Sequence, residues 1–393
     1  MTWSARGAAL AWILGIAVCA LVVYQHPLAA QSRRKQDPPP KTATLLLPAE
    51  VAWTANLPGG PSAPGVLAGN TVVVPLVSGE LHALNRDSGE TEWVQELKTQ
   101  LAPVATDSYI VVATDTQVEA RTIDRGDVVW SYALDAPPRA LGGRGNRVAV
   151  LSGDSLVALD ATTGMVLWRQ NAGQDATALT VGTTGVAVVD PGRVALFSAV
   201  DGQRVWERKL PGPPGPLAWS GDTLIVPAGS TLWALNARNG KEDWKWVFGG
   251  APTGVGVTAD DAYVTALDNL LRGLRRGNGH QRWHASLSSR ALSPPVAMDG
   301  AVLVSDYTPA LSLFDTKTGK QIASYAAPGR LLGPPLVPLP IRPGAVSTLL
   351  LLLDGRLLAL RSTGLRFPEL PLVPLTALPG RSLGRERQPL TPH

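Results

Sequence analysis

The segment Leu156-Val157-Ala158-Leu159-Asp160-Ala161-Thr162-Thr163-Gly164-Met165-Val166-Leu167-Trp168 decides the fold, because its glycine followed four residues later by a tryptophan recurs along the chain. The pairs are Gly89/Trp93, Gly126/Trp130, Gly164/Trp168, Gly202/Trp206, Gly240/Trp244 and Gly279/Trp283. Successive tryptophans are 37, 38, 38, 38 and 39 residues apart. A period this regular indicates one supersecondary unit repeated around a ring or along a stack, because such a unit cannot bury its apolar face alone.

Each repeat predicts a β-hairpin. Leu156 and Ala158 stand eight and six residues before the glycine, and residues two apart share one face of a strand. The stretch from Asp160 to Gly164 has turn chemistry, with a short polar side chain at its start and a glycine that allows positive φ. A second apolar strand pair precedes it, so about four antiparallel strands fit each period. Four-stranded units of this length are typical of all-β propeller blades rather than helical repeats.

The degenerate copies predict the number of blades. A seventh copy ends at Gly319, with Ala323 in place of the tryptophan, and an eighth ends at Gly364. At the other end, the segment from Val51 to Leu57, which contains Trp53, resembles an outer strand without the rest of its blade. We therefore expect an eight-bladed β-propeller in which this strand completes the last blade and removes an open sheet edge. Seven blades are the alternative.

The pattern Ala-x-Asp-x-x-Thr-Gly-x-x-x-Trp, present from Ala158 to Trp168, resembles the tryptophan-docking motif of pyrroloquinoline-quinone-type (PQQ-like) propeller repeats. The resemblance covers the chain from about residue 50 to residue 364. In that family the indole rings stack between neighbouring blades. The resemblance therefore implies a structural docking role for seven tryptophans: Trp53, Trp93, Trp130, Trp168, Trp206, Trp244 and Trp283.

Two further tryptophans, Trp219 and Trp233, fall outside the docking register. Exposed aromatic side chains are typical anchors of protein interfaces, which makes both residues candidates for partner binding. Packing in the core is the competing interpretation, and it is the favoured one for each ring.

The termini differ in composition from the repeats. Ala8 to Tyr24 is an uncharged, mainly apolar run that predicts an N-terminal hydrophobic helix, so residues 1–30 are expected to be a signal peptide or a membrane anchor. Residues 31–48 form a proline-containing basic linker, residues 49–364 the propeller, and residues 365–393 a disordered tail. The single cysteine, Cys19, lies inside the apolar run, and its lipidation is left open. This arrangement favours an extracytoplasmic location, periplasmic or anchored in the membrane facing the periplasm.

The charge distribution excludes a nucleic-acid partner. The whole chain has a formal net charge of +4, of which residues 1–48 contribute +4 and residues 365–393 contribute +2. The repeats therefore carry a net charge of −2. Such a domain has no excess of Lys and Arg with which to neutralise phosphates.

The residues that could carry catalysis favour a scaffold over an enzyme. Quinoprotein dehydrogenases share these repeats, and the resemblance would imply a bound quinone, a disulfide between adjacent cysteines and a calcium ion with acidic ligands. The chain has no adjacent cysteines and no carboxylate cluster outside its turns, so we expect no catalytic, cofactor-binding or metal-binding residue.

The favoured function is a non-catalytic protein-interaction scaffold at the cell envelope, similar to the assembly scaffolds of the bacterial outer membrane. Its partners would be envelope proteins, and the membrane itself if the N-terminal segment stays uncleaved. A quinone-dependent oxidoreductase and a small-ligand-binding sensor propeller are the alternatives.

Overall fold

The computed structural model describes residues 47–338 and 348–363 of the chain. Within these residues the secondary structure consists of 31 β-strands. In this part of the chain, no helix has the length and apolarity that crossing a bilayer requires. The predicted N-terminal hydrophobic helix and the predicted tail from residue 365 lie outside the described residues.

Seven antiparallel sheets of four strands follow one another along the chain, and we number them as blades 1 to 7. Blade 1 contains β2 (Val66–Ala68), β3 (Thr71–Pro75), β4 (Glu80–Asn85) and β5 (Thr91–Glu96). Blade 2 contains β6 (Val104–Ala105), β7 (Tyr109–Ala113), β8 (Gln117–Thr122) and β9 (Val128–Ala133). Blade 3 contains β10 (Pro138–Arg144), β11 (Arg147–Ser152), β12 (Ser155–Asp160) and β13 (Val166–Asn171). Blade 4 contains β14 (Ala178–Val181), β15 (Gly185–Asp190), β16 (Arg193–Ser198) and β17 (Arg204–Lys209).

The remaining blades repeat the same order. Blade 5 contains β18 (Ala218–Ser220), β19 (Thr223–Ala228), β20 (Thr231–Asn236) and β21 (Glu242–Val247). Blade 6 contains β22 (Pro252–Val257), β23 (Asp261–Ala266), β24 (Leu270–Arg275) and β25 (Gln281–Ser286). Blade 7 contains β26 (Val296–Met298), β27 (Ala301–Ser305), β28 (Ala310–Asp315) and β29 (Gln321–Ala326). In each blade the fourth strand carries the tryptophan position of the repeat.

Blade 8 joins the two ends of the described chain. It contains β1 (Ala49–Asn56), β30 (Thr348–Leu353) and β31 (Arg356–Ser362), in the order β1-β31-β30. β1 pairs antiparallel with β31 from Ala49↔Ser362 to Asn56↔Arg356. The expected closure by the N-terminal strand is therefore confirmed, and eight blades rather than seven form the ring.

The inner position of blade 8 is described up to residue 338. Two isolated bridges, Leu331↔Leu353 and Leu336↔Leu350, pair this inner segment with β30. The amide and carbonyl groups of Leu336 and Leu350 exchange two hydrogen bonds of 3.0 Å. Pro334 and Pro335, which lie between the two bridges, lack an N–H group and so cannot donate to β30.

The hydrophobic core is divided among the blade junctions. Eight clusters of buried side chains each draw their members from two neighbouring blades. Leu156 and Ala158, for example, pack towards blade 4 with Val186 and Val188, whereas Val157 and Leu159 of the same strand pack towards blade 2. A blade therefore buries both faces only when it has a neighbour on each side, which is why the ring must close.

The turn before each outer strand matches its sequence chemistry. Oδ1 of Asp160 accepts hydrogen bonds from the amides of Thr162 and Thr163, both at 2.9 Å. The amide of Gly164 donates to the carbonyl of Asp160, also at 2.9 Å, and Gly164 has a φ of +72°. The short polar side chain and the left-handed glycine close the hairpin together.

Candidate interaction surfaces

The seven tryptophans in the docking register all bind the following blade. Each indole Nε1 donates a hydrogen bond to a backbone carbonyl there. The pairs are Trp53 to Arg86, Trp93 to Ile123, Trp130 to Ala161, Trp168 to Ala199, Trp206 to Ala237, Trp244 to Arg276 and Trp283 to Thr316, at distances of 2.5 to 3.3 Å. These bonds place the rings between adjacent blades at seven junctions.

The repeat glycine is the second half of this contact. A Cβ atom built on Gly164 would lie 2.6 Å from Cδ2 of Trp130, and one built on Gly202 would lie 2.4 Å from Cδ2 of Trp168. The indole therefore lies directly on the glycine backbone of the next turn. The four-residue spacing of glycine and tryptophan belongs to one hairpin, but the contact joins the glycine of one blade to the tryptophan of the blade before it.

Trp219 and Trp233 both lie at the junction of blades 4 and 5, partly buried against its cluster. Trp219 is on the innermost strand and covers Gly182 of blade 4. Trp233 is on the third strand, with the Arg208 guanidinium 4.7 Å and the Lys245 ammonium 5.1 Å from its ring centroid. In the described part of the chain both indole Nε1 atoms are buried without a hydrogen-bond partner. Their role in partner binding stays a prediction, and the contacts assign both rings to packing within the ring of blades.

The variable residue of the third strand faces the preceding blade and differs at each junction. In blade 2 it is Glu119, which accepts a hydrogen bond of 2.8 Å from Nε of the buried Arg121. In blade 6 it is Arg272, whose two Nη atoms donate to the carboxylate of Asp268 at 3.1 and 2.6 Å. These hydrogen bonds lower the pKa of the Asp268 carboxyl below its ordinary value. The position thus accommodates buried ion pairs as well as apolar residues.

In blade 4 the same position is Ala195, which leaves a cavity of about 180 Å³ open at the junction with blade 3. Phe197 and Val188 also line this cavity, and a network of Asp190, Arg193 and Glu207 lies beside them. Binding pockets for drug-sized ligands usually measure about 300–1,000 Å³. The cavity is therefore large enough for one side chain or a few waters but not for a fused-ring cofactor.

No set of three or more His, Cys, Asp and Glu side chains comes close enough to hold a metal ion within residues 47–338 and 348–363. The carboxylates of the repeat turns are engaged locally. Asp315, for example, accepts hydrogen bonds from the amides of Lys317 and Thr318 at 3.1 and 2.7 Å.

An exposed group of apolar side chains lies on the outer strands of blades 2 and 3. We call it the apolar band, and it consists of Val128, Val129, Met165, Val166 and Leu167, which are 43 to 69% exposed. The residues at the two positions before the docking tryptophan are Thr91 and Glu92 in blade 1, and Glu242 and Asp243 in blade 5. This surface was not predicted from the sequence, although Val-Val and Val-Leu stand at positions where blades 1 and 5 have polar or charged residues.

Blade 2, which carries part of the band, and its neighbour blade 1 are acidic. Residues 58–135, which make up blades 1 and 2, contain eleven acidic and four basic residues, and we call this region the acidic sector. Arg86, Arg121 and Arg125 form ion pairs with carboxylates of the same sector. The net charge of −2 along the repeats therefore conceals a strong local excess of negative charge.

Comparison with known proteins agrees with this architecture. The sequence profile of the family described as outer membrane protein assembly factor BamB matches residues 48–157, 152–291 and 260–339. The protein of that name from Bordetella pertussis is 24% identical over an alignment of 298 residues, which covers 60% of this chain and 77% of that protein. The one from Yersinia pestis is 23% identical over 284 residues, which covers 70% of this chain and 65% of that protein.

The crystal structure of BamB from Moraxella catarrhalis has a similar fold. It superposes with a TM-score of 0.62 at 15% sequence identity, and the match covers 80% of this chain and 99% of that chain. At this identity the likeness concerns the arrangement of the blades alone.

Proposed function

Because this chain belongs to the family of the outer membrane protein assembly factor BamB, we propose that it is a non-catalytic scaffold that takes part in outer-membrane protein assembly. The observation that carries the proposal is the family match, which extends from residue 48 to residue 339 and so includes the seven four-stranded blades. Curated relatives that align with most of this chain are named as assembly factors.

The structure supports a binding rather than a chemical role. The tryptophans that the resemblance singled out are engaged in contacts between blades, and the turn carboxylates bind the amides of their own turns. A rigid ring with exposed side chains on its outer strands is suited to hold other proteins in place, because function in propellers depends on surface sites rather than on the fold. We place the ring outside the cytoplasm, at the inner face of the outer membrane, with envelope proteins as its partners.

The test is co-purification from the native host. The full-length chain, tagged after residue 393, is isolated from gently solubilised envelopes after brief cross-linking, and bound proteins are identified by mass spectrometry. We expect components of the outer-membrane assembly machinery, and we expect lower levels of outer-membrane barrel proteins when the gene is deleted. A tagged protein found only in the cytoplasm, or bound to a cytochrome instead, would overturn the proposal.

A further inference from the structure

We propose that the apolar band, together with the acidic sector beside it, is the docking surface for a protein partner that presents apolar side chains next to a cluster of Lys and Arg. This inference rests on the proposed scaffold function and names the chemistry of one partner. Three observations carry it: the docking contact that brings the two segments of the band to one junction, the pairs of exposed apolar residues in these two blades, and the charge that borders them.

The docking contact brings the two segments of the band to one blade junction. Trp130 of blade 2 lies on Gly164 of blade 3 and donates a hydrogen bond of 3.0 Å to the carbonyl of Ala161. Val129 immediately precedes this tryptophan, and Met165 immediately follows this glycine. The two exposed apolar segments, which are 36 residues apart in the sequence, therefore flank the same blade junction. Exposed apolar side chains grouped in one region of a surface are typical of interaction sites.

Blades 2 and 3 have two exposed apolar residues directly before the docking tryptophan. Blades 4 and 7 have one such residue each, Val205 and Ile322, and blade 5 has Glu242 and Asp243 at these positions. Charged side chains on outer strands prevent association between sheet edges. Blades 2 and 3 have no charged side chain at either position, so this part of the ring is suited to cover by another protein.

The negative charge beside the band indicates which kind of protein surface can bind there. Asp124 and Asp127 lie in the turn next to Val128, with side chains 69 and 61% exposed, and Arg125 between them is the basic residue that both contact. Blade 1 adds the exposed Glu90 and Glu92. Opposite charges across an interface speed association and exclude wrong partners. The acidic sector therefore favours a basic protein surface and repels anionic lipid headgroups.

The experiment is site-specific photo-cross-linking of the full-length chain in its native host. Benzoylphenylalanine replaces Met165 in one variant and Lys320 in another. Both residues follow the turn glycine of their repeat, so the Lys320 position in blade 7 is a matched control. Cross-linked peptides are sequenced by mass spectrometry. A third protein combines the Met165 replacement with Asp124→Lys and Asp127→Lys, and its thermal melt verifies that the ring is intact.

We expect a discrete protein adduct from position 165 and none of comparable yield from position 320. The captured segment should contain exposed apolar residues beside at least two Lys or Arg, and its yield should fall severalfold with the two charge reversals or in high salt. The docking surface would be overturned by equal adducts at both positions, by an acidic captured segment or by a lipid adduct. It would also be overturned by an adduct yield that the charge reversals leave unchanged. Co-purification with assembly proteins but no adduct at position 165 would refute this surface and leave the proposed function intact.

Discussion

Gly202 of blade 4 lies under the indole ring of Trp168 of blade 3. It has a φ of +71°, and the ring of Trp168 lies where its Cβ atom would be, 2.4 Å from Cδ2. A side chain at this position must therefore both accept a left-handed backbone and displace the indole.

We predict that Gly202→Ala destabilises the protein by about 2–4 kcal/mol, because backbone strain and overpacking each contribute about 1–3 kcal/mol. The matched control is Gly192→Ala, since nothing lies within 4 Å of that glycine's Cβ position. Chemical denaturation should leave the control within about 0.5 kcal/mol of the original protein. Equal midpoints for the two variants would show that the glycine under the indole is dispensable.

The Asp268 and Arg272 pair makes a pH-dependent contribution to stability. The two side chains are 22 and 12% exposed, and Arg272 lowers the pKa of Asp268. A carboxyl group whose pKa is lower in the folded state than in the unfolded state stabilises the fold. This contribution is complete above the unfolded pKa of about 3.9, and it is lost as the pH falls through the folded pKa.

We therefore predict that Asp268→Asn lowers stability by about 1–3 kcal/mol at pH 7, because it leaves a largely buried guanidinium without its carboxylate. Asp222→Asn, which breaks an ion pair whose carboxylate is 48% exposed, should change little. Thermal melts at pH 7 and near pH 3 measure both variants. The gap between Asp268→Asn and the original protein should shrink at the lower pH, and a constant gap would contradict the pairing.

At the scale of the element, β1 and its tryptophan decide whether the ring is closed. β1 supplies the outer strand of blade 8 and places Trp53 over Gly89 of blade 1. Its loss would leave β31 with an unpaired edge and remove the docking contact of the junction between blades 8 and 1.

We predict that deletion of residues 1–58 lowers the melting temperature markedly, whereas deletion of residues 365–393, whose sequence has no strand pattern, changes it little. Differential scanning calorimetry of the two truncated chains tests this. Equal melting temperatures would mean that the ring holds without its closing strand.

The single change Trp53→Ala should act in the same direction more gently. Loss of a fully buried tryptophan costs about 3–5 kcal/mol. Trp53 is only partly buried, while Trp168 is 6% exposed. We therefore expect Trp53→Ala to be less destabilising than Trp168→Ala in parallel urea titrations, and the reverse order would contradict the difference in burial.

At the scale of the whole molecule, the scaffold proposal makes a prediction about ligands. A quinone bound with calcium would raise stability by about 2.7 kcal/mol at a hundred times its dissociation constant. We predict no change in melting temperature when the full-length chain is titrated with pyrroloquinoline quinone and Ca²⁺, because its single cysteine cannot form the adjacent pair and its described acidic residues form no metal cluster. Saturable stabilisation with dye-linked oxidation of an alcohol or sugar would instead support the oxidoreductase.

Local features of the chain were predictable from its residues. The spacing of Gly164 and Trp168 predicted the hairpin, its recurrence predicted the blades, and the isolated Trp53 predicted the closing strand. These inferences succeed because turn conformation and strand alternation depend on residues within about ten positions of one another.

The sequence by itself thus determined the repeat and its hairpin turn, and it favoured eight blades over seven. The tertiary structure alone decided which blade each indole meets, that Trp219 and Trp233 share one junction, and that Arg272 lies against Asp268. It also brought the segments that contain Val129 and Met165 to one blade junction beside the acidic sector. The physical reason is that contacts between blades bring together residues almost one full repeat apart, and a repeating pattern does not show which of its varying positions will become neighbours.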